Sequence, residues 1–415
     1  MQAPTRPSPR PPRLLVGALM LVVLLTGCSQ TAVVLWTDVP EIVPAVEAFN
    51  ASQERRVVEI VYEPEITSAL RLAETPPDLV VGRFIENRAT RRLLQPLDRL
   101  LRRELDADEF YPRLLATGAS DGKQYLLPVA FNLPLVYFTN RVSEVGTPIV
   151  IDPQEMRARA DTFNAMQDER WVRVAYSPGW NQAFLYQYLR TLGFAVHEDD
   201  EGAPEWPFES VVEGVAAARD WLELNGGAEA DRAFQERYLY DPQLQLVHSE
   251  RVAYGYARSD EFLSLNAARR DGLGFRWFGT EASIRVLEDI VYAGIPNGAK
   301  ATDGARAFLV HLFTVDRQVD LVESTLRKRV DGFGVAGGFS SLWRLNEAHL
   351  ADYYPTLEGK IPPASWLEFP AASPRHWGKL VPQVVEPWLM QEVMEVPQER
   401  DLEASVRAWL LQQED

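Results

Sequence analysis

Val33-Val34-Leu35-Trp36, Val57-Val58-Glu59-Ile60-Val61-Tyr62 and Leu79-Val80-Val81-Gly82 are three short apolar runs rich in β-branched residues. Near-continuous apolar character over so few residues is the signature of strands covered on both faces. Between the first two runs, Thr37-Asp38-Val39-Pro40 reads as a turn and helix start, with Thr or Asp as N-cap and proline at the first helical position. Val43, Ala45, Val46 and Phe49 then recur at helical spacing up to Asn50. Between the second and third runs, residues 66–74 read as a short helix, stopped by Pro76-Pro77. Strands alternating with helices imply a parallel sheet with helices on both faces. Such a sheet offers ligand sites at the carboxyl ends of its strands. Here those ends are Thr37-Asp38, Glu63-Pro64 and Gly82-Arg83-Phe84.

The same alternation continues downstream. Residues 88–105 are helical with a break at Pro96, and strands over 124–128 and 133–140 are joined at 129–132. A helix is expected over 154–167. A strand over 172–176 runs into Ser177-Pro178-Gly179-Trp180-Asn181 and a helix carrying Phe184, Leu185, Tyr188, Leu189 and Leu192. Further helices are expected over 211–224, 301–314 and 380–413, the last broken near Pro397, and short strands over 251–257, 272–278 and 294–296.

Upstream of the first strand lies a segment of a different kind. Arg6, Arg10 and Arg13 precede an apolar run from Leu14 to Leu25, which ends in Leu25-Thr26-Gly27-Cys28. A basic stretch, a short apolar core and small residues at a cut site make a secretory signal. The run is too short for a spanning helix. Cys28, the single cysteine, stands where the bacterial lipobox places its lipidated residue. Residues 1–27 are therefore expected to be a lipoprotein signal peptide and Cys28 the lipid-bearing first residue of the mature chain. This implies an extracytoplasmic protein anchored to a bacterial membrane, because two or more acyl chains hold a protein there stably. Only Ser29, Gln30, Thr31 and Ala32 separate that anchor from the first strand.

The 415 residues suggest two or three domains, and 46% hydrophobic content suffices for a large core. The formal charge of −17 argues against nucleic acid as a partner. With its one cysteine lipidated, the chain has no thiol chemistry. The five histidines are scattered without metal-ligand spacing, so no metal is expected. Gly118-Ala119-Ser120-Asp121-Gly122 matches Gly-x-Ser-x-Gly, but its Asp121-Gly122 turn leads into the strand over 124–128 and not into a helix, so it does not read as a nucleophile elbow. Gly332-Phe333-Gly334-Val335-Ala336-Gly337 matches a dinucleotide-type glycine pattern but follows the charged stretch Arg327-Lys328-Arg329, not a strand; it reads as a loop.

Five pieces in order resemble the extracytoplasmic solute-binding proteins of ABC importers, in the carbohydrate-binding branch that includes maltose-binding protein. They are Leu35-Trp36-Thr37 with Ala48-Phe49-Asn50; Pro77-Asp78-Leu79-Val80 with Leu94-Gln95-Pro96-Leu97-Asp98; Asp121-Gly122-Lys123-Gln124-Tyr125-Leu126-Leu127-Pro128 with Val136-Tyr137-Phe138-Thr139-Asn140; Val252-Ala253-Tyr254-Gly255; and Gly294-Ile295-Pro296-Asn297-Gly298-Ala299-Lys300. The resemblance implies an α/β, two-lobed periplasmic-binding-protein fold with discontinuous lobes and a hinge cleft. Lobe one would take residues 33–130 and return over 280–325. Lobe two would take 131–279 and the C-terminal helices of 326–415. It also implies a non-enzymatic receptor that closes on a small solute, a sugar or oligosaccharide, and delivers it to an ABC permease as a monomer without cofactor. An envelope-sugar hydrolase and a solute-sensing receptor for a membrane signalling protein are the alternative readings of the same cleft.

Sugars are held by aromatic rings stacked on their C–H faces and by planar polar side chains. Among eleven tryptophans, Trp36, Trp180 and Trp377 stand at a strand end, in a Gly-Trp-Asn loop and before the last long helices, and are candidate stacking rings. Each is equally readable as a core aromatic with its N–H satisfied. Asp38, Arg83, Asn132, Asn181, Arg258 and Asp260 are candidate polar contacts at expected strand ends or hinge edges. Arg258-Ser259-Asp260 departs from the glycine and aromatic common in the family there, which points to a more polar or charged solute.

Overall fold

In the computed structural model, the first strand, Thr31–Thr37, pairs in parallel with Arg56–Tyr62 on one side and Leu79–Arg83 on the other. The structure describes residues 31–140, 148–198, 204–328, 332–396, 398 and 400–413; Cys28 and the expected signal peptide lie outside the described residues. The strand buries Val33 and Leu35 completely, and the helix Val43–Ala51 lays Ala45, Val46 and Phe49 on the sheet, the face set by their helical spacing. Phe49 meets Phe308 of the helix Thr302–Leu312 edge-on at 5.4 Å. Asp78, just before the third strand, ties these layers together. One carboxylate oxygen accepts from the backbone N–H of Val34, the other from those of Lys300 and Ala301. It thereby supplies acceptors that the start of the helix Thr302–Leu312 lacks within itself.

The complete first sheet has six strands in the order Phe339–Ser340, Leu127–Phe131, Val291–Gly294, Leu79–Arg83, Thr31–Thr37 and Arg56–Tyr62. It is mixed rather than all parallel. Val291–Gly294 runs antiparallel between Leu79–Arg83 and Leu127–Phe131. A second sheet has four strands in the order Gly255–Arg258, Pro134–Thr139, Leu273–Phe278 and Val150–Ile151. Helices Gln182–Thr191, Phe208–Glu223 and Glu386–Val393 pack together beside it. Their core holds Phe184, Tyr188 and Trp221, the last two 5.4 Å apart at 84°. The two sheets with their helices are the two α/β lobes. No helix among the described residues is long and apolar enough to cross a membrane.

The chain passes from the first sheet to the second at Asn132 and Leu133, and back between Phe278 and Val291. Its last return differs from the expected boundary at 326. Phe339–Ser340 pairs with Leu127–Phe131 in the first sheet, so the first lobe extends well beyond residue 325. The passage back follows Leu367–Glu368, which pairs with Ile284–Arg285 of the second crossing. The glycine-rich segment explains the difference. Gly334 and Gly337 have φ of 60° and 78°, which lets Val335 and Gly338 exchange backbone hydrogen bonds in a tight turn and lays the chain along Phe131. A second departure is local. The expected helix over 154–167 stops after Ala160–Phe163, because the Asn164 side chain instead accepts from the Ala175 N–H and donates to Asn225.

Candidate functional site: the cleft between the lobes

The carboxyl ends of the parallel strands form one wall of the cleft. After the first strand, Thr37 Oγ1 accepts from the Val39 N–H, which fixes the turn that presents Asp38. Asp38 Oδ1 then accepts from the Arg83 N–H at 3.1 Å, joining the ends of the first and third strands. Glu65 and Thr67 enter from the start of the helix Ile66–Leu72, and Phe84 from the end of Leu79–Arg83. The second lobe supplies the facing wall through Arg375, His376, Gly378 and Lys379, around the start of the helix Trp377–Leu380. Together they enclose a cavity of about 300 Å³. Burial pushes the Asp38 carboxyl up to about 6, against the pull of Arg83.

The lobes touch at several points. Lys379 Nζ lies 2.6 Å from Glu65 Oε1. Ser373 N–H donates to Glu86 Oε1 at 3.2 Å, and Arg88 N–H donates to Glu198 Oε2 at 3.2 Å. The Phe84 ring packs against the second lobe's core over Gly378, where even a Cβ would meet the ring at 2.5 Å. Phe84 holds a left-handed backbone, φ 55°, to make this reach.

Glu86 is wholly buried at this junction, and its Oε2 has no hydrogen-bond partner among the described residues. Burial pushes its carboxyl from 4.5 up to about 7, against hydrogen bonds from its own backbone and Ser373. The folded state therefore binds more protons than the unfolded chain between these values, and stability falls as pH rises through that window. Glu86→Gln is expected to remove this fall. Melting temperatures of parent and variant, measured from pH 4 to 8, should diverge above pH 4.5 in the variant's favour and run parallel above pH 7. Parallel curves throughout would show that Glu86 ionises as an ordinary carboxyl.

Of the nine ligand candidates from sequence, Asp38 and Arg83 line the cavity. Trp36 is half-buried on the face of its strand opposite Val33 and Leu35, against the first lobe's core. Trp180 stacks on Phe234 at 5.2 Å and 12°, in the second lobe. Asn181 caps the helix Gln182–Thr191, accepting from the Phe184 N–H. Trp377 is 1% exposed and donates its indole N–H to Glu288 Oε2, which also accepts from the Tyr186 hydroxyl. These four do not line the cavity, and their rings and amide are engaged in packing or capping.

Asn132, Arg258 and Asp260 sit where the crossings meet. Asn132 donates to the Gly337 carbonyl and accepts from Ser259 Oγ, which in turn accepts from the Leu133 N–H. Arg258 donates to both carboxylate oxygens of Asp260 and, at 2.6 Å, to Asp289 Oδ2. Arg83 Nε stands 3.9 Å from the same Asp289 oxygen and Arg83 Nη2 lies 3.4 Å from Glu41. A chain of alternating charge thus runs from the cavity wall of lobe one into lobe two. Sequence reasoning missed Glu65, Phe84, Arg375, His376, Gly378 and Lys379. Two signals were present: Phe84 ends a parallel strand, and Arg375, His376, Gly378 and Lys379 flank Trp377. Among the described residues, no group of three or more His, Cys, Asp or Glu is placed to hold a metal ion.

No family model matches the sequence, and no curated protein matches it. The fold does match solved structures. An ABC substrate-binding protein from Listeria monocytogenes in complex with cycloalternan is 11% identical, with 93% of this chain and 99% of that one covered at a TM-score of 0.63. The maltose/maltodextrin-binding domain from Bdellovibrio bacteriovorus, bound to maltotriose, is 14% identical, with 92% and 99% covered and a TM-score of 0.57. An ABC transporter solute-binding protein from Thermotoga lettingae, bound with α-D-tagatose, is 13% identical, with 92% and 97% covered and a TM-score of 0.59. This chain therefore has the two-lobed fold of the periplasmic solute-binding proteins.

Proposed function

We propose that this protein is a lipid-anchored, extracytoplasmic solute receptor. It captures a small hydroxyl-rich solute, a sugar or short oligosaccharide, by closing its lobes and hands it to an ABC permease in the same membrane. The observation that carries this reading is the cavity of about 300 Å³ walled by strand ends of one lobe and a helix start of the other. A cleft closed by two bodies buries most of a small ligand and ties its binding to a change of shape. The Leu25-Thr26-Gly27-Cys28 motif and the short tether after it support the anchor. The fold, shared with proteins whose bound ligands are sugars, supports the solute class.

The placement of carboxylates supports capture over hydrolysis. Asp38 and Glu65 line the cavity from the same lobe, and the facing wall presents Arg375, His376 and Lys379. A glycosidase needs two carboxyl groups flanking the scissile bond.

A thermal-shift screen of the mature chain against mono- and disaccharides tests the proposal. A solute at 100 times its dissociation constant should stabilise the fold by about 2.7 kcal/mol. A panel in which no sugar, neutral or charged, moves the melting temperature would remove the solute class from the proposal.

A further inference from the structure

We infer that the solute is an anionic sugar, one that carries a carboxylate or phosphate group among its hydroxyls. The inference rests on the reading of the cleft as a sugar site and adds its charge. The protein as a whole is strongly acidic, with 59 acidic residues against 42 basic ones. Its cleft reverses that balance. Arg83, Arg375 and Lys379 line the cavity against two carboxylates, Asp38 and Glu65. The reversal is sharpest on the second lobe, where residues 375–379 read Arg-His-Trp-Gly-Lys and contain no acid.

The geometry holds these cations ready. Glu65 positions Lys379 at 2.6 Å, and Glu41 and Asp289 flank Arg83. Lys379 and Arg83 therefore enter the cavity already oriented from one side. Arginine in particular matches the planar fork of a carboxylate or the oxygens of a phosphate with two parallel hydrogen bonds. Burial that raises Asp38 also weakens that one carboxyl's negative charge in mildly acidic surroundings.

The cavity is poor in what a neutral oligosaccharide needs. Phe84 is the one aromatic carbocycle on its lining, and that ring is packed over Gly378. The other ring on the lining is the imidazole of His376, so no tryptophan or tyrosine faces the cavity as a stacking platform. The volume lies at the low end for ligand sites, which suits a solute of one or two rings.

Calorimetry on the full mature chain decides the matter, with D-glucuronate, D-galacturonate and glucose 6-phosphate set against glucose and galactose. At least one acid should bind ten times or more tighter than its neutral parent. Its affinity should fall as salt is raised from 20 to 300 mM, as screening of the anion predicts. Arg375→Gln and Lys379→Gln should each abolish most of the preference for the acid. The uronates and the phosphate ester, compared with each other, show which anionic group the site accepts. A neutral sugar that binds as tightly as its acid overturns the inference and leaves the sugar-receptor reading standing. Failure of every sugar to bind to folded protein overturns both.

Discussion

Trp377→Ala is expected to cost about 3–5 kcal/mol of folding stability while leaving the solute affinity of the folded protein close to that of the parent. The indole is 1% exposed and shares its core with Leu380, Val385 and Leu389. Trp206 lies 5.8 Å away, ring to ring. Truncation to alanine empties the largest type of side-chain volume and takes one donor from Glu288, which keeps Tyr186 as a hydrogen-bond donor and Arg190 at 3.7 Å. A half-buried carboxylate that loses a donor carries a further, smaller penalty. A stacking ring would behave in the opposite way: its alanine variant would fold normally and lose about 1–3 kcal/mol of binding. Urea unfolding without solute, paired with calorimetry on the folded variant, separates the two. Unfolding within about 1 kcal/mol of the parent, together with lost binding, would return Trp377 to the solute's side of the wall.

Trp377 shows what was legible in the sequence and what was not. The strands at the amino end were legible because burial on both faces leaves a continuous apolar run, as in Leu79–Arg83. The position of Asp38 and Arg83 on the cavity wall was legible for the same reason, since a strand end in such a sheet has a fixed relation to the cleft. Whether a tryptophan faces a ligand or a core depends on what the rest of the chain packs against it. Spacing does not carry that information, and Trp36, Trp180 and Trp377 all sit against protein. The mixed character of the first sheet was hidden because Val291–Gly294 is four residues long and enters from far along the chain. Phe339–Ser340 was hidden more deeply, since two residues show no alternation at all. Arg258 and Asp260 stood out in the sequence as charged residues at an expected strand end. Their role became visible only with Asp289, a partner 31 residues from Arg258.

The contact of Phe84 with Gly378 between the lobes carried little signal in the sequence, because half of it is a glycine. Gly378→Leu is expected to weaken solute binding about five- to 140-fold while leaving each lobe folded. With the lobes in contact as in the structure, a Cβ at this position would stand 2.5 Å from one atom of the Phe84 ring, 2.8 Å from the next and 3.0 Å from a third. A leucine adds three more carbons in the same direction. Overpacking of this kind costs about 1–3 kcal/mol. The cost falls on the closed form alone, since separating the lobes removes the clash. Solute binds between the walls that closure brings together, so its affinity drops by the factor by which closure is disfavoured. At 1.4 kcal/mol per tenfold, that penalty converts to the stated range. The rescue distinguishes this mechanism from general damage. Adding Phe84→Ala to Gly378→Leu vacates the space the leucine needs, and affinity should return most of the way to that of Phe84→Ala alone. Small-angle scattering gives the second measurement: the single variant should stay extended at solute concentrations that compact the parent. A Gly378→Leu protein that closes and binds as the parent does would show that Phe84 swings aside at little cost and that the glycine is no socket for it.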